Sequence, residues 1–179
     1  MVKHMAGLIQ RSTRLLRHRW AEGQLGRTVS PALLDQLTQA VAASELRHTG
    51  QVRLCIEAGL PASYIWRGAC ARERAVAMFS KLCVWDTAQN NGVLIYLLLA
   101  DHAIEIVADR AIACYVPQHI WDRLTVKLSE ALRAGRTADG LMQTLADVSA
   151  LLEQHFPCTS TTSGQPRPNE LPDAPFIAP

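Results

Sequence analysis

Six residues of this chain combine types and positions that can do chemistry: Glu45, His48, Asp86, Asn90, Asn91 and Asp109. Three carboxylates and two amides are hard oxygen donors of the kind that Ca²⁺ or Mg²⁺ takes, and no cysteine or histidine cluster joins them to favour zinc. Asp86 and Asp109 are the expected metal ligands. His48 is the candidate general acid toward a leaving group, because imidazole titrates near neutral pH; the alternative, and the commoner role for a lone histidine after a helix, is a partner for the helix dipole. The competing reading of the whole set is turn chemistry. Asp, Asn and Gly are ordinary turn residues, and Asp109-Arg110 can be a solvated ion pair.

Other catalytic signatures are missing. The chain contains no Cys-x5-Arg loop, no Asp-x-Asp, no Gly-x-Ser-x-Gly, no His-Glu-x-x-His and no phosphate-binding glycine loop. His102, His119 and His155 lack ligand spacing, and Arg72 and Arg74 beside Glu73 read as a solvated helix face.

The elements that must position the six residues follow from periodicity. Met5, Leu8, Ile9, Leu15, Leu16 and Trp20 alternate with arginines at helical spacing, predicting a basic amphipathic helix; Ala21 to Val29, with two glycines, reads as a linker. Ser30-Pro31 is an N-cap followed by proline, with Leu33, Leu37 and Val41 behind it, and that helix should end at His48-Thr49-Gly50. Val52, Leu54 and Ile56 alternate with Arg53, Cys55 and Glu57, predicting a strand. A loop with Tyr64 and Trp66 is expected to cover the helices. A helix over 69–83 then leads through a polar turn, Asp86 to Gly92, into Val93 to Leu99. That run is apolar on both faces, as a strand covered on both sides must be. A hairpin at Asp101-His102 returns through Ala103 to Ala108, and two helices, opened by Pro117 and Thr137, follow as antiparallel neighbours.

Strand, helix, strand between 51 and 99 is a crossover unit, so its two strands should be parallel, with the hairpin partner antiparallel. Helices on both faces give a small mixed sheet in a three-layer α/β/α sandwich. In that topology the end of the first capped helix, the Asp86–Gly92 turn and Asp109 all reach the amino-end rim of the sheet, which is how Glu45, His48, Asp86, Asn90, Asn91 and Asp109 come together.

Composition bounds the rest. Apolar residues make up 49% of the chain and the formal net charge is +2, as in an ordinary globular domain. Lys3, Arg11, Arg14, Arg17 and Arg19 concentrate positive charge at the start and leave the remainder slightly acidic, which argues against a nucleic-acid footprint. Residues 1–20 are a candidate peripheral contact with an anionic inner-membrane surface, or with a protein partner. The five cysteines have neither disulfide nor zinc spacing, and no apolar run reaches bilayer length, so the chain reads as cytoplasmic. Domain limits follow: 1–29 helix and linker, 30–156 the α/β domain, 157–179 a tail rich in Pro, Ser and Thr. Cutting after Phe156 is expected to leave the core folded.

The stretches Glu45-Leu46-Arg47-His48-Thr49-Gly50, Asn90-Asn91-Gly92-Val93-Leu94-Ile95-Tyr96 and Ile106-Val107-Ala108-Asp109-Arg110 resemble the core of the TPM-domain family, and Asn169-Glu170-Leu171-Pro172-Asp173 resembles the closing motif of a bacterial branch. The resemblance implies an α/β/α sandwich. It also implies divalent metal at an acidic pocket and, as in a thylakoid-lumen relative, acid phosphatase activity. The matching candidates are Asp86, Asn90, Asn91 and Asp109. A phosphatase on this chain would have to be metal-assisted, the ion polarising a phosphoryl oxygen and supplying hydroxide. The other reading is a non-enzymatic interaction module that assists assembly or maintenance of a larger complex with a protein partner. Unlike the better-known members, this chain shows neither a secretion signal nor a C-terminal membrane segment.

Overall fold

A computed structural model describes residues 2–158 and 169–178, with side chains from residue 12 onward. Helices α1 (Val2–Glu22) and α2 (Leu25–Thr28) lead to α3 (Pro31–Glu45), then β1 (Val52–Glu57), α4 (Ala62–Trp66), α5 (Ala71–Lys81), β2 (Val93–Leu98) and β3 (Ala103–Ala108). The chain continues through α6 (Arg110–Tyr115), α7 (Gln118–Arg133), α8 (Thr137–His155) and β4 (Phe176–Ala178). The expected contacts of Met5, Leu8 and Ile9 lie outside the described side chains.

The sheet order is β3-β2-β1-β4. β1 and β2 are parallel with Val52 opposite Val93, and β2 and β3 are antiparallel with Val93 opposite Ala108. One face of the sheet, through Leu54, Ile56, Ile95 and Leu97, packs on Leu37 and Val41 of α3, Leu128 of α7 and Val148 of α8. The other face, through Cys55, Leu94, Tyr96 and Leu98, packs on Ile65 of α4 and on Ala75 and Met78 of α5. This is the three-layer sandwich that the periodicity predicts. Ser30 caps α3 as expected, its hydroxyl accepting from the Leu33 N–H at 3.2 Å.

Burial on both faces forces β1 to accommodate charge. All six of its residues are buried, and a buried charge is tolerated only when paired and hydrogen-bonded. Glu57 takes a bidentate bond from Arg74 and a 2.6 Å bond from the Tyr96 hydroxyl. Its negative charge and the surrounding burial push the Tyr96 hydroxyl upward in pKa, burial acting most strongly; burial, then Glu57, push the Cys55 thiol up to about 12. Arg53 points its guanidinium at the carbonyls of Pro172, 2.5 Å away, and Ala174.

Those last contacts differ from the expected tail. The chain turns back after α8, with the Thr49 N–H donating to Phe156 O and the Cys158 N–H to Arg47 O. Residues 159–168 lie outside the described part, but Asn169 to Ala178 packs on the body. Leu171 is buried in the second core, and β4 adds a parallel strand to the free edge of β1, with Cys55 opposite Phe176. An edge strand presents a row of unpaired main-chain groups that an extended segment of almost any composition can satisfy.

α1 also packs on the body. Asp101 accepts from Arg14 at 2.8 Å, from Arg17 and from His18 Nε2 at 3.1 Å, while His18 Nδ1 accepts the Leu60 N–H at 2.8 Å. Because Nδ1 accepts a main-chain N–H, the proton sits on Nε2, facing the carboxylate. A side chain at Gly59 would put Cβ 2.9 Å from the His18 carbonyl oxygen, so glycine lets the helix approach. The segment expected as a linker carries the short α2.

Candidate functional site

The antiparallel register of β2 and β3 places Asn91 and Asp109 at the same amino-end rim, on segments joined by main-chain hydrogen bonds. Beyond the last strand pair, the Asp109 N–H donates to Gly92 O at 2.8 Å and the Ala111 N–H to Asn90 O at 3.0 Å, so the ladder continues into both flanking segments. Asn90 takes a positive φ of 51°, an αL conformation that asparagine tolerates better than most residues. Gly92 follows because a Cβ there would lie 2.0 Å from the Val84 carbonyl oxygen. The Asn-Asn-Gly lead-in to the central strand thus has a separate physical reason at its first and third positions.

Asp109 is the N-cap of α6, its Oδ1 accepting from the Arg110 N–H at 2.7 Å. Its Oδ2 is buried and has no hydrogen-bond partner. Asn91 donates from Nδ2 to Thr49 Oγ1 at 3.2 Å and to Gln89 Oε1 at 3.3 Å, and its main-chain N–H donates to Thr87 Oγ1. These donations turn Asn91 Oδ1 inward, where it too is buried without a partner. Two acceptor oxygens on adjoining segments are therefore left with unused lone pairs, in a protein interior where nearly all such atoms are satisfied.

The other expected residues have different duties. Glu45 Oε1 accepts the Val52 N–H at 2.9 Å, satisfying the first amide of β1. His48 is fully buried, its Nδ1–H donating to Gly50 O at 3.0 Å beside a bridge to Pro157, so it is not presented to a substrate. Asp86 is exposed on the turn after α5. Asn90 Oδ1 accepts from Arg110 Nη2 at 2.6 Å, which places a guanidinium at the mouth of the rim. The expected meeting of Glu45, Asp86 and Asp109 does not form: among the described residues no three His, Cys, Asp or Glu side chains are grouped to hold a metal ion. The physical reason is that the first amide of a strand entering a sheet needs an acceptor, and Glu45 supplies it.

Sequence reasoning missed Thr49, Thr87 and Gln89, which orient Asn91, and Glu170, whose Oε2 accepts the Ala88 N–H at 2.7 Å. Gln51 Oε1 accepts from the Glu170 and Leu171 main-chain N–H groups, tying the closing motif to the same rim. The Asn169–Asp173 motif was the available signal. Trp66, expected to cover the helices, is 58% exposed, while Tyr64 lies half-buried under the guanidinium groups of Arg67 and Arg74. Among the described residues no helix is long and apolar enough to cross a membrane.

Comparison with solved structures finds the same fold in the BA42 protein of the psychrophilic bacterium Bizionia argentinensis. It superposes with a TM-score of 0.70 at 21% identity, over 83% of this chain and 94% of that one. The N-terminal domain of a protein from P. gingivalis superposes with a TM-score of 0.54 at 18% identity, over 71% of this chain and 78% of that one. Comparison with curated protein sequences gives no match. The sequence profile of the TPM domain matches residues 26–151, most of the chain and every residue of the rim outside the closing motif, and the protein therefore belongs to the TPM-domain family.

Proposed function

We propose that this TPM domain is an interaction module whose amino-end rim binds a divalent cation, Ca²⁺ or Mg²⁺, and that it assists assembly or maintenance of a larger complex through a protein partner. The observation that carries the cation is the pair of buried, unpartnered oxygens, Asn91 Oδ1 and Asp109 Oδ2, on segments joined by main-chain hydrogen bonds. A buried acceptor without a donor costs about 1–3 kcal/mol, and a cation offsets that cost at both atoms together. Carboxylate and amide oxygens suit Ca²⁺ and Mg²⁺, and with so few protein ligands water completes the shell and binding is weak. Leu46 and Trp85, 79% and 50% exposed, sit on the two segments that lead to the rim and offer apolar anchors to a partner.

The alternative, metal-assisted hydrolysis of phosphomonoesters, is favoured by Arg110, whose guanidinium at the mouth could hold a phosphoryl group. It lacks a general acid, since His48 is buried and bonded to Gly50 O. Thermal unfolding with millimolar Ca²⁺ or Mg²⁺ tests the site. A rise in melting temperature for the wild type, lost in Asp109→Asn, supports it, because asparagine keeps the helix cap and removes the charge. Absence of a rise overturns it. Cation-dependent release of phosphate from a phosphomonoester, lost in the same variant, would replace the module with the enzyme.

A further inference from the structure

A concavity lies at the opposite end of the sheet from the rim. It has a volume of about 810 Å³ and opens beyond the carboxyl end of β2, between the last turn of α1, the β2–β3 turn and the α7–α8 connection. The crevice beyond the carboxyl ends of parallel strands is where open α/β sheets commonly hold ligands, and this volume is within the range of small-molecule pockets. Its floor is apolar, built from Leu33 of α3, Leu99 after β2 and Leu132 near the end of α7. On one wall the Trp20 indole is 69% exposed although its helix is docked on the body.

Charge decides the class of ligand. Asp101 is the one acid in the lining, and its carboxylate is already engaged by Arg14, Arg17 and His18. Burial alone would raise its pKa, yet the bonds from His18 and Arg14 hold it well below the usual carboxylate range, so it remains a saturated anion. Arg27 and His102 also line the cleft and make no ion pair among the described residues. The cleft thus offers an apolar floor, an exposed indole and, at its polar edge, the Arg27 guanidinium, while its one acid is already engaged.

We infer that this cleft binds a single-chain amphipathic anion, an apolar body ending in a carboxylate, with the body on Leu33, Leu99 and Leu132 and the carboxylate on Arg27. Arginine suits that headgroup because its planar fork pairs with both carboxylate oxygens. The site is separate from the cation rim and does not depend on it.

Calorimetric titration of the full chain with dodecanoate below its micelle concentration tests this, with dodecyltrimethylammonium as the matched cation. The expected result is one dodecanoate per chain, bound at least tenfold more tightly than the ammonium. Arg27→Glu, an exposed change that spares the core, should weaken dodecanoate at least tenfold, and Arg27→Lys should retain most of the binding. Leu132→Trp should fill the floor and abolish binding. No binding, equal binding of both surfactants, or an unchanged affinity in Arg27→Glu overturns the inference. Flotation with phosphatidylglycerol vesicles separates the two sources of such an anion. Flotation unaffected by Leu132→Trp, with no free dodecanoate bound, would mean a lipid surface meets α1 and would overturn the cleft as a binding site.

Discussion

The Arg53 guanidinium donates to the carbonyl oxygen of Pro172 at 2.5 Å, joining the second residue of β1 to a segment 119 residues later. Burial lowers the Arg53 pKa, and the nearby Asp173 carboxylate works the other way. A guanidinium so placed needs acceptors, and the closing segment supplies two carbonyls. Truncation after Cys158 should therefore lower stability, because it removes both acceptors of that guanidinium, takes Leu171 out of the second core and reopens the β1 edge; burial of the leucine alone is worth about 1.5–3 kcal/mol. Truncation of the same chain carrying Arg53→Met should cost clearly less. Denaturant unfolding of the four proteins measures the difference, and an unchanged midpoint on truncation would contradict the packing of Asn169–Ala178.

The Glu57–Arg74 pair is similarly all-or-none. Its side chains are 2% and 14% exposed, and the Tyr96 hydroxyl supplies another donor to the carboxylate. Arg74→Met should destabilise by about 3–5 kcal/mol, whereas Glu57→Met with Arg74→Met should recover much of the loss, since replacing a buried pair by apolar residues is often near neutral. Tyr96→Phe removes one hydrogen bond and should cost about 1–2 kcal/mol. Chemical denaturation of the three variants checks the ordering; a double variant no better than Arg74→Met would show that the network is needed for packing itself.

These two cases mark what could be read from the residues alone. Alternation in 52–57 and the two-sided apolar run 93–99 carry the parallel pair, because side-chain burial has a period that the sequence records. The hairpin at Asp101-His102 then forces Asn91 and Asp109 to one rim, since register fixes main-chain neighbours. Glu45 and Asp86 were harder: proximity of segments follows from topology, but whether a carboxylate turns to a shared centre depends on nearer donors, and for Glu45 the Val52 amide is nearer. β4 was hidden because an edge strand is recruited by main-chain hydrogen bonds, which leave no side-chain pattern, and a three-residue strand is too short to show alternation. α6 was hidden for a related reason, its six residues being too few for a helical stripe.

Asp101 predicts a pH dependence with a definite sign. Its folded pKa is depressed, so its contribution to stability is fully present above the unfolded value of about 3.9 and is lost as pH falls toward the lower folded value. Asp101→Asn should therefore melt below the wild type at pH 7, and the gap should close as the pH is taken down from about 4. Proteolysis in the last turns of α1 should follow the same course, since Arg14, Arg17 and His18 hold that helix through this carboxylate. A gap that is constant across pH 2–7 would assign the effect to lost shape rather than charge.

Gly92→Ala separates the geometry of the rim from its charge. The added methyl would lie 2.0 Å from the Val84 carbonyl oxygen and 3.0 Å from Val84 Cγ1, and the first of these is main chain, which cannot rotate aside. Either the turn before β2 must move or the β2–β3 ladder must open at Asp109 N–H to Gly92 O. Both movements displace Asn91 from Asp109, and overpacking of this kind costs about 1–3 kcal/mol, more where backbone is the obstacle. The variant should melt below the wild type and should lose any Ca²⁺-dependent rise in melting temperature, although no oxygen ligand has been removed. Amide hydrogen exchange should show loss of protection at Val93 and Asp109 while α7 and α8 remain protected. A variant that is destabilised yet keeps the full Ca²⁺ response would show that cation binding does not depend on the β2–β3 register at the rim.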